Sequence, residues 1–176
     1  TEIYTLSLHD ALPIWDGSDQ KSEDLRVVDA KGKAIIPGIV DCHTHLLWSG
    51  DRSSEMRLRQ AGMTYRQIAE AGGGIAKTVQ STRTMSLGDL CRIGTARANQ
   101  AVLTGTTVIE AKSGYGLETD AELRLLEAMK VINDSSIVKL LPTWLGAHDF
   151  PYGRKRSEYL EELVSSQLPA VAEQGI

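Results

Sequence analysis

Apolar and polar positions follow two different periods along the chain, and each period predicts its own kind of element. Three short apolar runs rich in β-branched residues predict strands, and they lie at Ile39–His43, Thr106–Ala111 and Ile137–Leu145. Between the first two runs, residues 87–102 repeat apolar side chains at i, i+3 and i+4, which predicts a helix that Ser86 opens and Gly105 ends. Strands that alternate with helices in this way predict β/α units and a parallel sheet.

Other helical patterns complete the alternation. Thr64 carries a hydroxyl that can accept the first free N–H, so we expect it to cap a helix that the glycine run 72–74 then interrupts. The spacing Thr119-x-x-Glu122 is that of a capping box, and it predicts the start of the helix between the second and third strands. A last amphipathic helix is predicted to begin near Ser157.

The first 37 residues differ in pattern from the rest of the chain. Residues 1–15 contain no strand pattern with a partner segment, and we predict a leader that is foreign to the fold or disordered. Within residues 16–37, two short apolar runs flank a Lys-Gly turn, which predicts a β-hairpin from a small β-sandwich. Residues 38–176 carry the strand and helix alternation and form the main domain.

The first candidate functional residues lie at the end of the first strand, where His43 and His45 are two positions apart. Side chains alternate between the faces of a strand, so both imidazoles point one way and Thr44 points the other. Two imidazoles on one face form half of a metal site. Two hydrogen-bonded histidines without a metal explain this pair equally well. Asp41 shares their parity, and it could orient an imidazole or serve as a structural carboxylate.

Polar clusters follow the other two predicted strands as well. The loop 112–116 leaves the second strand and His148 leaves the third. The carboxyl ends of parallel barrel strands share one face, which carries the chemistry. Three clusters on that face favour the metal site over the simple histidine pair. The glycine run 72–74 also allows a phosphate-binding module, although no GK[ST] follows and a nucleotide P-loop is excluded.

Composition narrows the class of protein. The chain has 176 residues, 41% of them hydrophobic and 24% charged, which is ordinary for a soluble domain with a real core. The net charge is −4 without a basic block, which disfavours nucleic acid or an anionic membrane as a partner. No apolar run approaches the roughly 20 residues of a membrane span. Cys42 and Cys91 form no CxxC pair, which fits a cytoplasmic setting, and Cys42 is predicted to be buried.

Taken together, these motifs resemble the amidohydrolase superfamily and, within it, the imidazolonepropionase family. The first strand ends in P-G-x-x-D-x-H-x-H at 37–45, and K-S-G-Y-G-L at 112–117 and L-G-A-H at 145–148 are the more specific matches. The resemblance implies a partial TIM-type (β/α) barrel of about three β/α units, preceded by the hairpin of a small β-sandwich. Residues 38–176 would be the N-terminal part of that barrel.

The resemblance also implies the ligands of the site. One zinc or iron ion would be held partly by His43 and His45. The substrate would be 4-imidazolone-5-propanoate, a small cyclic amide with a carboxylate, and its contacts would be Arg52, Tyr65, Tyr115 and His148. An arginine pairs bidentately with a carboxylate, and tyrosine or histidine can donate single hydrogen bonds. Each residue alone also fits a plain structural role, as a surface charge, a packing ring or a helix-start hydrogen bonder.

The implied reaction is hydrolysis of a ring C–N bond to N-formimino-L-glutamate. Members of the family also use a third histidine, an acid/base glutamate and a late aspartate on strands beyond this chain. We therefore expect an N-terminal fragment that is inactive alone, and we assign it no catalytic residue. The sequence leaves open the metal and the oligomeric state, although the resemblance is compatible with a homodimer of the longer enzyme. Another amidohydrolase, hydantoinase-like or an aminohydrolase, and a non-functional truncated product are the alternatives.

Overall fold

Three parallel strands form the sheet of the protein, which the computed structural model describes over residues 31–175. They are β1 (Ile39–Thr44), β2 (Thr106–Lys112) and β3 (Lys139–Thr143), and they lie in the order β1-β2-β3. Both pairings are parallel. The predicted β/α class and parallel sheet are therefore confirmed, and the arrangement is consistent with part of a TIM-type barrel.

Helices fill the connections between the strands. Ser86 caps the long helix before β2, because its hydroxyl accepts the N–H of Asp89 at 3.1 Å. Thr64 caps its own helix through a complete capping box with Gln67, so both predicted caps are confirmed. The α-helices are α1 (Ser54–Gln60), α2 (Tyr65–Glu70), α3 (Ile75–Arg83), α4 (Leu87–Val102), α5 (Thr119–Ser135), α6 (Arg156–Glu162) and α7 (Leu168–Glu173).

The hydrophobic core lies between the sheet and the helices α4 and α5. Ile109 and Leu140 reach it from the strands, and Leu90, Leu125 and Met129 reach it from the helices. At Gly94 the two helices approach closely, since a Cβ there would lie 2.4 Å from a side-chain carbon of Ile132. Glycine within α4 therefore serves this packing and does not end the helix.

The capping box predicted for α5 is wrong. The helix begins at Thr119 itself, with Glu118 at the N-cap, and no side chain caps it. Thr119 donates through its N–H and hydroxyl to Glu162, at 3.0 and 2.9 Å. The side chain of Glu122 turns away from the helix start and accepts N–H groups of the preceding loop. Thr119 thus pairs with a residue 43 positions away, and Glu122 pairs with N–H groups that lie five to eight positions before it.

Two predictions near β1 also differ from the structure. Cys42 is exposed and not buried, because no described segment covers that part of β1 and its neighbours Ile39 and Val40 are exposed too. The hairpin of the β-sandwich is not confirmed, since residues 34–36 form no strand. Its first run and the predicted leader 1–15 lie outside the described residues. Across residues 31–175 the helices are too short or too polar to cross a membrane.

Candidate active site

Three aromatic side chains that are far apart in the sequence meet at the carboxyl end of the sheet. The ring of His45, which follows β1, lies 4.9 Å from that of Tyr115 and 4.5 Å from that of His148. The rings of Tyr115 and His148 are 5.4 Å apart and perpendicular. Since these residues follow three successive strands, the predicted convergence at one face is realised.

The geometry of the histidine pair is compatible with part of a metal site. The rings of His43 and His45 are 6.5 Å apart, as side chains two positions apart on one face should be. Nδ1 of His45 is buried and has no hydrogen-bond partner within the described part of the chain. A buried polar atom without a partner is costly, and a metal ion would satisfy it. The pair thus fits the implied metal, although residues 31–175 bring no group of three ligands together.

Electrostatics favour the neutral form of His45, which is the form that binds metals. Burial lowers the pKa of its imidazole, and the nearby His148, His43 and Lys112 lower it further, against a weaker opposite effect of the Ser113 backbone. Protonation would place a positive charge among other cationic or protonatable groups. The imidazole is therefore kept available as an electron-pair donor.

Glu110 and Lys112 form an ion pair on β2 beside the histidines. Burial raises the pKa of the Glu110 carboxyl, but hydrogen bonds from Lys112 and Thr143 and the charges of Lys112 and His43 outweigh it and lower that pKa. One carboxylate oxygen, Oε2, is buried without a partner in the described residues. This ion pair is not among the predicted site contacts, although a glutamate inside an apolar strand is a visible signal.

His148 is oriented by the loop after β2. Its Nδ1 lies 3.1 Å from the carbonyl oxygen of Gly114. A carbonyl only accepts, so Nδ1 carries the proton. In the neutral ring Nε2 is then an acceptor, and it donates only in the imidazolium form. The turn that carries His148 is anchored by the buried Tyr159, whose hydroxyl donates to the carbonyl of Gly146 at 2.7 Å. Burial raises the pKa of that tyrosine to about 12, so it stays protonated.

Arg52 is held by a buried carboxylate on α1. Its Nε and NH2 groups donate to both oxygens of Glu55 at 2.9–3.1 Å. The N–H of Gly74 donates to the same carboxylate at 2.8 Å. Hydrogen bonding to Arg52 lowers the pKa of Glu55 in spite of burial, and the same bonds raise the pKa of Arg52. The guanidinium keeps NH1 free of this pairing, so it can still reach a ligand.

Tyr65 and Tyr115 complete the surroundings of Arg52. Both lie close enough to raise the pKa of the guanidinium. Tyr65 opens α2 and is 56% exposed, so it lies at the rim and not in the interior. Tyr115 is half-buried and also contacts the histidine rings. Tyr115 thus links the arginine side of the site with the histidine side.

The segment after His45 is fixed by Arg97 of α4. Its NH1 donates to the carbonyls of Leu46 and Trp48, at 2.8 and 3.0 Å. The guanidinium lies 4.0 Å over the ring of Trp48. Burial lowers the pKa of Arg97. Two hydrogen bonds to backbone carbonyls and one stacked indole ring therefore fix the segment 46–48 against α4.

The predicted site residues therefore divide into two groups. His43, His45, Tyr115 and His148 are brought into one cluster of rings, whereas Arg52 and Tyr65 form its outer side. Asp41 does not orient an imidazole here, because its carboxylate accepts the backbone N–H of the exposed His43, at 3.3 Å. A cavity of about 550 Å³ opens elsewhere, beside α3, and it includes none of the predicted site residues.

Comparison with known proteins finds a family model and several relatives that match this chain. Residues 26–136 match the model of the amidohydrolase family. The imidazolonepropionase of Symbiobacterium thermophilum is 48% identical over 151 residues, which cover 85% of this chain and 36% of that protein. The imidazolonepropionase of Myxococcus xanthus is 45% identical over 152 residues, again 85% of this chain and 36% of its own length.

A further relative extends the match along this chain. The imidazolonepropionase of Brucella abortus is 37% identical over 181 residues, which cover 99% of this chain and 45% of that protein. The chain thus spans between about a third and a half of the length of these curated relatives. The match includes β1, the loop after β2 and the helices that frame the ring cluster.

Proposed function

The chain belongs to the amidohydrolase family, and on that premise we propose that its strand-end face forms part of an active site that hydrolyses 4-imidazolone-5-propanoate. The observation that carries this proposal is the meeting of His45, Tyr115 and His148 beside a guanidinium. The relatives named above carry the name of that activity. A small cyclic amide with a propanoate arm fits a site with polar rings on one side and a cation on the other.

Arg52 is proposed to bind the propanoate. Its Nε edge is occupied by Glu55, which sets the plane of the guanidinium and leaves NH1 for a ligand. Hydrogen bonds between charged partners are about twice as strong as neutral ones, so this contact would supply much of the affinity. A neutral ring without the carboxylate would lose it.

Tyr115 and His148 are proposed to contact the ring. The Tyr115 hydroxyl can donate to a ring carbonyl. His148, with its proton on Nδ1, accepts a ring N–H through Nε2 when neutral and donates to a carbonyl when protonated. Donation would favour the negative charge that develops on the carbonyl oxygen.

His43 and His45 are proposed to hold the zinc or iron ion of the site together with ligands that residues 31–175 do not contain. The metal would supply a bound water whose pKa falls from 15.7 to about 7. This chain's own contribution is to keep the half-buried His45 neutral, with a buried Nδ1 that has no partner within residues 31–175. In the overall reaction one water adds to the ring carbonyl, the ring C–N bond breaks, and the ring nitrogen takes the proton.

The test uses a complete enzyme. The 151 residues of the Symbiobacterium thermophilum imidazolonepropionase that match this chain are replaced by those of this chain. We expect the chimera to convert 4-imidazolone-5-propanoate to N-formimino-L-glutamate, measured by mass spectrometry. Cyclic ureides without a carboxylate and aminopurines should not be converted.

Two variants control the assay. His45→Ala should remove turnover and reduce the metal content, whereas Glu70→Gln, which alters an exposed ion pair with Arg66, should leave both unchanged. A folded, metal-loaded chimera that prefers an aminopurine or a plain cyclic ureide would contradict the proposed substrate.

A further inference from the structure

We infer that Glu122 is a positioning residue for the proposed substrate contacts, acting through the loop that carries Tyr115. The inference rests on the proposed function for its consequence, but its geometry is independent of any substrate. Glu122 belongs to α5, is fully buried, and touches none of the reacting groups itself. Its role lies in the backbone that it holds.

The carboxylate of Glu122 gathers three backbone N–H groups of one short loop. Oε2 accepts from Gly114 at 2.9 Å, and Oε1 accepts from Gly116 at 2.7 Å and from Leu117 at 2.8 Å. All the hydrogen bonds of this side chain within residues 31–175 come from these N–H groups. The donors lie on both sides of Tyr115, so the carboxylate fixes the direction in which its ring leaves the loop.

Glycine is required at two positions of this loop because its backbone lies very close to Glu122 and to the turn after β3. A Cβ on Gly116 would lie 2.8 Å from Oε1 of Glu122 and 2.7 Å from its backbone nitrogen. Gly114 has φ of +105°, and a Cβ there would lie 2.8 Å from the carbonyl oxygen of Leu145. Glycine at both positions lets the backbone wrap the carboxylate and pack against the turn after β3.

The same contact reaches His148. The peptide of Gly114 donates its N–H to Glu122, while its carbonyl accepts Nδ1–H of His148. By fixing the loop, Glu122 therefore also fixes the Gly114 carbonyl, which is the acceptor that keeps the proton on Nδ1 of His148. One buried carboxylate thus orients Tyr115 and sets the tautomer of His148, the two side chains proposed to contact the ring of the substrate.

Glu122→Gln tests this role in the 176-residue chain by NMR. One amide oxygen replaces only one of the two carboxylate oxygens, and the orientation that keeps Gly116 and Leu117 leaves Gly114 without an acceptor. We expect hydrogen exchange of the Gly114 amide to accelerate about tenfold, the change that corresponds to losing one hydrogen bond. The imidazole nitrogen shifts of His148 should move toward a mixture of tautomers.

Two controls separate positioning from loss of stability. Glu127→Gln changes an exposed carboxylate of the same helix and should alter neither signal. The exchange rate of the Leu126 amide, in the core of α5, reports global unfolding. That rate is subtracted from the exchange rate of the Gly114 amide. Unchanged exchange at Gly114 and an unchanged His148 tautomer in folded Glu122→Gln would overturn the inference.

If Glu122→Gln does not fold, two other measurements decide. Glu122→Asp retains the charge but withdraws it by one methylene, and it should give the same two changes. In the unaltered chain the amides of Gly114, Gly116 and Leu117 should exchange far more slowly than that of Gly153, which lies in an exposed turn. Exchange as fast as at Gly153 would overturn the inference without any variant.

A ligand titration separates this inference from the proposed function. The probe is hydantoin-5-propanoate, a stable cyclic amide with the same propanoate arm. We expect the probe to shift the signals of Tyr115 and His148 in the unaltered chain. We expect its affinity for Glu122→Gln, taken from the same titration, to be severalfold lower. Failure of the probe to bind the unaltered chain would count against the substrate class. Changes in amide exchange and tautomer would still support the positioning role.

Discussion

Two regions of the site, the Arg52 segment and the Tyr115 loop, each depend on a buried glutamate, but the two carboxylates are satisfied differently. Glu55 pairs with the guanidinium of Arg52 and with one backbone N–H, and the arginine side chain is still 32% exposed. Glu122 accepts three backbone N–H groups and is fully enclosed. The loop that carries Tyr115 is therefore fixed by a buried carboxylate through backbone N–H groups, whereas Arg52 is fixed through its own side chain, which water reaches.

This difference assigns different tasks to the two regions. A loop fixed by backbone hydrogen bonds has little freedom left to lose when a ligand binds, which favours affinity and precise orientation. An arginine in a partly exposed ion pair can adjust to the carboxylate of the proposed substrate. Substitutions that disrupt one region at a time therefore separate the two tasks.

Gly114→Ala should have the largest effect on stability. The positive φ strains any side chain there, and the Cβ would meet the Leu145 carbonyl and the Cβ of His148, each at 2.8 Å. Strain and overpacking together should lower the free energy of unfolding by about 3 kcal/mol, measured by chemical denaturation.

Gly153→Ala is the matched control for that substitution. Gly153 also has a positive φ, of +80°, but nothing lies within 4 Å of a Cβ built there. Only the backbone strain remains, at a cost of about 1 kcal/mol. Equal losses in the two variants would mean that the Tyr115 loop is not packed as described.

Glu55→Gln should have an intermediate effect. It removes the charge that Arg52 and the N–H of Gly74 share at a buried position, and such a loss costs about 2 kcal/mol of unfolding free energy. Glu70→Gln breaks an ion pair whose side chains are 87% and 61% exposed, and it should cost less than about 0.5 kcal/mol. Similar losses from both would show that Glu55 is not a buried anchor.

The stabilising effect of Glu55 should also depend on pH, and this is the smallest effect. Because the pKa of Glu55 is lowered in the folded protein, its contribution is fully present above the unfolded pKa of about 4.3. It is lost as the pH falls through the lower folded pKa. The stability difference between the unaltered chain and Glu55→Gln should therefore shrink between pH 6 and pH 3, as denaturation curves can show. A difference that stays constant over that range would contradict the lowered pKa.

Local signals in the sequence predicted most of the fold correctly. Ser86 and Thr64 cap their helices because an N-cap acts within three residues, and the strands followed from their β-branched runs. Helix α1 was missed because its apolar residues, Met56 and Leu58, are exposed and show no buried stripe. That helix is tied down by Glu55, whose partners the sequence does not reveal.

The meeting of the rings is predictable from the strand ends, whereas the buried contacts of Glu122 are not predictable from its spacing. The meeting of His43, His45 and His148 follows from the sequence because barrel topology gathers strand ends on one face. The position of Glu122 three residues after a threonine imitates a capping box, so the sequence predicts a local cap there and not its contacts with the preceding loop. The exposure of Cys42 could not be read from its apolar neighbours, because burial of a strand depends on what covers it.

The measurement that tests the central claim most directly is calorimetric titration of the chimera and of its Arg52→Lys variant with two ligands. Lysine keeps the charge but loses the planar fork, so hydantoin-5-propanoate should bind between about tenfold and a hundredfold more weakly to the variant. Plain hydantoin, which lacks the carboxylate, should bind both proteins equally. If the substitution weakened both ligands alike, or neither, the site would not be one that recognises a cyclic amide by its propanoate arm.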